Sequence, residues 1–341
     1  MSGGTQRALT SGLATAIGSL PHTDARMAAA LVLRHLPDLP AAPQLPRRAS
    51  AEGMLVQWLR ALPEIVLGPD GTFSVDQDAI RTIDIEAPID ASFDTVAHGG
   101  LLTFVEQAAI QPRRPPRVKV QLTGPLTLGC ALARGGLPVD LAFRRAIALS
   151  REWGRHIEDL VRTRLPESQL VLFFDEPALV EWNDDDPPVD HERASDLLSS
   201  AFAAVGCITG VHVCGDGDAR VALAAGPNVL GVEVSGRLLA DAAGLARFLD
   251  AGGFMAWGAV PTDRPVGESA GPLWRSLVEL WCELSRRGCD GLRLRSQAII
   301  TPACGLAGHG ASQAERALLL ARELAARVFD QAAATKLIVG A

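Results

Sequence analysis

Short runs of apolar residues, many β-branched or aromatic, recur along the chain, and each closes in a polar or Gly/Pro cluster. Seven of these runs read as strands: ATAIGS (14–19), VKVQLTGP (118–125), LVLFFDEP (170–177), TGVHVCG (209–215), VLGVEVS (229–235), FMAWGAVP (254–261) and AIITPACG (298–305). Most are apolar nearly throughout instead of alternating, the pattern of parallel strands covered on both faces. A weaker run, PAAPQLP (40–46), supplies an eighth. Between the runs lie Ala/Leu/Arg-rich stretches of helical periodicity, among them 140–165, 273–289 and 312–337. Alternation of about eight strands with helices predicts an α/β fold, a (β/α)8 TIM barrel in a single domain over 13–341, with 1–12 as a flexible N-terminal tail. The segment EIVLGPDGTFSVD departs from the rhythm: apolar runs flank Pro-Asp-Gly, which predicts a β-hairpin inserted near residues 64–76.

Composition narrows the class without changing the fold. With 341 residues, 48% of them hydrophobic, the chain has ample material for a core, which excludes a disordered protein. A formal charge of −7 excludes a globally basic nucleic-acid binder, so no nucleic acid is expected as partner. No apolar run reaches the ~18 residues of a membrane span, so no membrane partner is expected either. The opening, MSGGTQRALTSGLA, has no signal-peptide pattern, and a cytoplasmic protein is expected. Six cysteines stand at 130, 207, 214, 282, 289 and 304, none in a C-x-x-C pair. Cys130, Cys207, Cys282 and Cys289 read as small buried hydrophobes.

Cys214 and Cys304 read differently, because of what arrives beside them. In an α/β barrel, chemistry sits at the C-terminal ends of the strands. Those ends deliver Ile17-Gly18-Ser19, Thr123-Gly124-Pro125, Asp175-Glu176-Pro177, His212-Val213-Cys214, Glu233-Val234-Ser235 and Cys304-Gly305. His212 and Cys214 are two apart and share a face on a strand. Glu233 comes from the next strand and Cys304 from the last. One imidazole, two thiols and a carboxylate converging on one point form a zinc-type donor set. Zinc deprotonates a coordinated thiol, so the chemistry implied is activation of a substrate thiol.

The motifs AIGSLPHTD, VQLTGPLTL, FFDEPAL, VHVC, VEVSGR and TPACGL run in this order over nearly the whole chain. Together they resemble the C-terminal catalytic barrel of cobalamin-independent methionine synthase, in the wider group that includes uroporphyrinogen decarboxylase. The resemblance implies a zinc-dependent methyltransferase that forms methionine from homocysteine. It places His212, Cys214, Glu233 and Cys304 on the Zn2+ ligand positions. It sets Ile17 and Ser19 where the substrate carboxylate is held and Asp175 where the ammonium is paired. Glu52 is the candidate for a second amine-binding carboxylate. Long members carry a second, N-terminal folate-binding barrel for which this chain has no room. The expected methyl donor is therefore a methylated corrinoid protein, a simple methylfolate or another small methyl compound. The stretch 258–264 lacks the family's histidine, which leaves Asp263 and His309 as candidate proton donors, with His22 similarly placed after the first strand. Gly215 stands where a tyrosine often follows H-x-C. Two alternatives stay open: alkyl transfer to another thiol such as coenzyme M, against which the Asp-Glu-Pro motif argues, and a non-catalytic zinc- or homocysteine-binding homologue.

Overall fold

The computed structural model describes residues 9–82, 84, 88–183 and 186–339. Nine strands form among them: β1 (Leu13–Ala14), β2 (Ile65–Leu67), β3 (Phe73–Val75), β4 (Arg117–Thr123), β5 (Gln169–Asp175), β6 (Ile208–His212), β7 (Val229–Glu233), β8 (Phe254–Val260) and β9 (Ala298–Pro302). Seven of them make one curled sheet in the order β1-β9-β8-β7-β6-β5-β4, every neighbouring pair parallel. Helices connect the strands and cover one face, the arrangement parallel pairing requires.

The expected closed ring of eight strands is not formed: the structure has this seven-stranded curled sheet, with a bridging stretch in place of an eighth strand. Its free edges are β1 and β4. Between them runs 40–44, which makes isolated parallel bridges on both sides, Ala41 with Lys119 and Ser19 with Gln44. The Lys119 amide donates to the Pro40 carbonyl at 2.9 Å, and the Gln44 amide to the Gly18 carbonyl at 3.0 Å. Pro40, Pro43 and Pro46 have no amide to give, so the stretch touches both edges without becoming a continuous strand.

The strands carry two apolar layers. Val118, Val120 and Leu122 of β4, with Leu170, Leu172 and Phe174 of β5, pack against helix residues such as Leu149, Trp153 and Leu198. The opposite face holds a smaller cluster in which Val171, Phe173, Ile208, Val229, Ala256 and Ile299 gather with residues of the 9–39 region. Phe173 is the largest buried side chain in it. A Cβ on Gly210 would lie 2.7 Å from its ring, and one on Gly231 would lie 3.4 Å away, so the neighbouring strands are hollowed to seat it. The polar ends of the strands project beyond this plug.

Of the expected tail 1–12, residues 1–8 lie outside the described residues. Residues 9–12 are anchored: Leu9 is buried in the inner cluster, and the Gly12 amide donates to the Ala298 carbonyl at 2.9 Å. The inserted hairpin is present, with β2 and β3 antiparallel and Ile65 opposite Val75. In its turn Asp70 accepts hydrogen bonds from the Thr72 amide and hydroxyl, and Gly71 takes φ +83°, the left-handed region open to glycine. A fully buried pair fastens its base: Arg145, on the long helix Val139–Arg164, grips Glu64 with two bonds of 2.7 and 2.9 Å. No helix among the described residues is long and apolar enough to cross a membrane.

Candidate metal centre

β6 ends on His212, and Cys214 follows just outside the strand, before Gly215 turns the chain at φ +55°. Cys304 lies two residues beyond β9. These three side chains bring one donor atom each within 4.8 Å of one another, and the two sulfurs are 3.0 Å apart. His212 is 3% exposed, and both its ring nitrogens are buried without a hydrogen-bond partner. Such an imidazole is costly in a folded interior unless something claims a nitrogen. A metal ion coordinated by His212 and two sulfurs satisfies that need, and the donor types suit zinc.

The two thiols share their protons unequally. Cys214 is pushed up, first because its S–H donates to Cys304 and then by burial, with the Cys304, Asp175 and Glu233 charges adding to it. Cys304 is held down as the acceptor of that bond and by its proximity to His212, against the opposing effect of burial. The contact between the two sulfurs thus pushes the thiols in opposite directions, and a bound cation would favour the thiolate form of both.

Glu233 ends β7 but stands outside the close set of three. Burial raises its carboxyl, reinforced by Asp263, Asp216 and Cys304, so it feels the centre's charge without joining it. It lines instead a cavity of about 350 Å³ between the loops that follow β6 and β7, together with Asp216 and Arg237, which pair at 2.6 Å.

Asp175 ends β5, in register with His212 on β6. Its Oδ1 is buried and unpartnered. Burial raises its carboxyl, while Lys119 and His212 pull the other way. Ser19 donates to Gln44 Oε1 at 2.7 Å and sits against the turn after Cys304, since a Cβ on Gly305 would lie 3.1 Å from its Cβ. Ile17 is buried, and its carbonyl accepts from the Lys119 ammonium at 2.5 Å. Ile17, Ser19, Asp175, His212, Cys214 and Cys304 are accordingly on one end of the sheet.

The other expected site residues are placed differently. Glu52 is buried, but its carboxylate is taken by the Arg48 guanidinium at 2.5 Å, the Leu45 amide at 2.9 Å and the Gly100 amide at 3.3 Å, so it ties a loop to the helix Gly99–Ala109. None of these partners belongs to the metal cluster. Asp263 is exposed beside Arg264. His309 uses Nε2–H to donate to the Thr262 carbonyl at 3.0 Å, joining the two loops of that rim. His22 keeps a buried, unpartnered Nδ1, and burial lowers its pKa. Cys282, expected inside, is exposed, whereas Cys130 and Cys289 are buried.

Two residues escaped sequence reasoning. Glu176 is fully buried and receives the Leu126 amide at 2.9 Å, the Thr127 amide at 2.7 Å and the Thr127 hydroxyl at 2.6 Å, capping the helix Pro125–Arg134. Burial pushes it up to about 7 against those bonds. Lys119 is fully buried on β4. Its signal in the sequence is the alternation Lys119, Gln121, Thr123 inside an apolar strand, a polar face turned to the sheet's inner side.

The chain matches no family model and no curated protein. The functional reading therefore rests on the cluster itself and on the residues around it.

Proposed function

We propose that this chain is a zinc-dependent thiol methyltransferase that carries a methyl group onto the sulfur of homocysteine to give methionine. The observation that carries the reading is the trio His212, Cys214 and Cys304, donor atoms within 4.8 Å, with both His212 nitrogens buried and unsatisfied. In this reading the sheet is a (β/α)8 barrel whose ring is completed by 40–46. The six cysteines are free, which fits the reducing cytoplasm in which we place the protein.

His212, Cys214 and Cys304 would hold the ion, with Glu233 as a fourth ligand drawn in from the end of β7 when the ion binds. Zinc there supplies the Lewis acidity that makes a bound thiol a nucleophile near neutral pH. Asp175, its Oδ1 unclaimed, receives the substrate ammonium. The Ile17–Ser19 turn holds the carboxylate end. Fixing both ends sets the direction in which the sulfur faces the incoming methyl group, so alignment contributes alongside activation. Asp263 and His309, on the loops bordering the centre, are the groups available to give a proton to the departing donor. That donor is a methylated corrinoid protein or a simple methylfolate, reaching the sulfur from the open end of the sheet.

Lys119 favours a second reading by its charge: a cation beneath the site suits a sulfonate-bearing thiol such as coenzyme M. One experiment separates the two. X-ray absorption of the zinc-loaded protein is expected to show two sulfur neighbours, rising to three with L-homocysteine and staying at two with coenzyme M. The reverse pattern replaces homocysteine by the sulfonate thiol. A shell indifferent to both, or failure to load zinc, removes the transferase reading.

A further inference from the structure

Lys119 is 0% exposed, deep in a sheet face where a charged side chain needs a reason. Its ammonium lies 4.7 Å over the ring of Phe173, the residue that plugs the inner face, and 3.4 Å from Gln121 Oε1. Its short bond goes to the Ile17 carbonyl. Burial lowers it to about 8, so it is still a cation at neutral pH. Asp175 is the other titratable group at this depth and feels Lys119, yet among the described residues the two make no ion pair. A buried amine and a buried carboxyl group thus lie near one another on one floor without a direct bond between them.

The turn that Lys119 grips is open on its other side. Among the described residues no hydrogen bond claims the amide of Gly18 or Ser19, although the Gly18 and Ser19 carbonyls are used. A cation on the Ile17 carbonyl polarises the peptide that follows and strengthens the Gly18 N–H as a donor. Gly18 itself has φ +144°, and a Cβ there would lie 2.2 Å from the Gln121 amide, so the turn is built tightly against β4.

We propose that Lys119 is the positioning residue for the substrate carboxylate: acting through the Ile17–Ser19 turn, it makes this end of the cup a carboxylate seat opposite Asp175, so that the protein selects a thiol carried by a zwitterionic α-amino acid. The inference rests on the thiol reading above and adds the residue that makes the Ile17–Ser19 turn a carboxylate seat. Lys119 does not touch the reacting sulfur.

The test uses the full chain loaded with Co2+ and follows the sulfur-to-cobalt charge-transfer band during titration with L-homocysteine and with 3-aminopropane-1-thiol, the same thiol without its carboxylate. The unsubstituted protein is expected to bind homocysteine at least tenfold more tightly. Lys119→Met, which keeps length without charge, is expected to bind one Co2+ and the aminothiol as before and to lose that preference. Lys119→Gln is read in the same way if the methionine variant does not fold. A preference that survives both substitutions, or an equal loss for both thiols, overturns the inference alone. No thiol-dependent band in the unsubstituted protein overturns the inference together with the reading beneath it.

Discussion

His212 carries two buried ring nitrogens that find no well-formed hydrogen bond, and the sulfurs of Cys214 and Cys304 stand next to it. Removing one of the three donors leaves two, too few for a closed tetrahedral shell. Cys304→Ala is therefore expected to drop zinc from about one per chain to a small fraction after gel filtration, measured by atomic absorption. Retained stoichiometry would show that the trio is packing, not a metal centre. The trio was legible in the sequence because each member ends an apolar run, where a polar or reactive group has no packing reason to be. Lys119 was not legible as a single residue, since one lysine in an apolar strand looks like an edge position until the neighbouring strands bury it. Glu52 misled for the opposite reason: a carboxylate near the expected second strand looked free, although Arg48 four residues before it pairs with it, and its other partners, the Leu45 and Gly100 amides, are backbone groups that no side-chain pattern reveals.

At the scale of elements, the strand ends deserve comparison with the apolar runs that announced them. The runs at 170–177, 209–215, 229–235 and 298–305 correspond to β5, β6, β7 and β9, each of which stops two or three residues earlier. Asp175, His212 and Glu233 are the last residues of their strands, and of the surplus residues Cys214 and Cys304 leave the sheet to join His212. The stretch 40–46 was ambiguous for a physical reason too, since its prolines cannot complete a ladder. The hairpin was legible from Pro-Asp-Gly, but its fastening was not, because Glu64 and Arg145 are 81 positions apart. That pair carries a prediction. Arg145→Met strands a buried carboxylate and is expected to cost about 3–5 kcal/mol, read from the urea midpoint. Glu64→Leu combined with Arg145→Met is expected to recover most of the loss.

Whole-molecule stability depends on pH through a site far from the metal. His98 is buried among Trp58, Trp153 and Phe93, and its Nδ1 accepts the Asp94 amide at 3.2 Å, so the ring is held neutral. Burial lowers it to about 4 from 6.5. The unfolded chain then binds the proton more readily than the folded one, and stability falls as pH drops from 6.5 toward 4. This single group accounts for about 3 kcal/mol over that window. Denaturant midpoints measured across it should decline, and His98→Phe should flatten the decline. A flat profile in the parent protein would refute the assignment. Metal removal acts on the same global equilibrium. If the trio binds zinc as proposed, the ion at about a hundredfold over its Kd adds about 2.7 kcal/mol, so a chelator is expected to lower the Tm of the zinc-loaded parent protein by several degrees and leave Cys304→Ala unmoved.

The pairing of the first strand with the last has a consequence for the chain during synthesis. Leu13 and Ala14 have their partners at Ile299 and Ile300, and Cys214 waits for Cys304. A ribosome releases residues in order, so β1 emerges long before its partner exists, and one edge of the sheet stays without its neighbour until the final helix, Ala311–Val339, is being made. The same delay keeps the metal trio incomplete until then. A nascent chain thus lacks the whole trio until residue 212 and carries only His212 and Cys214 from there until Cys304 is made, so a metal bound by all three is captured as the fold closes and not before.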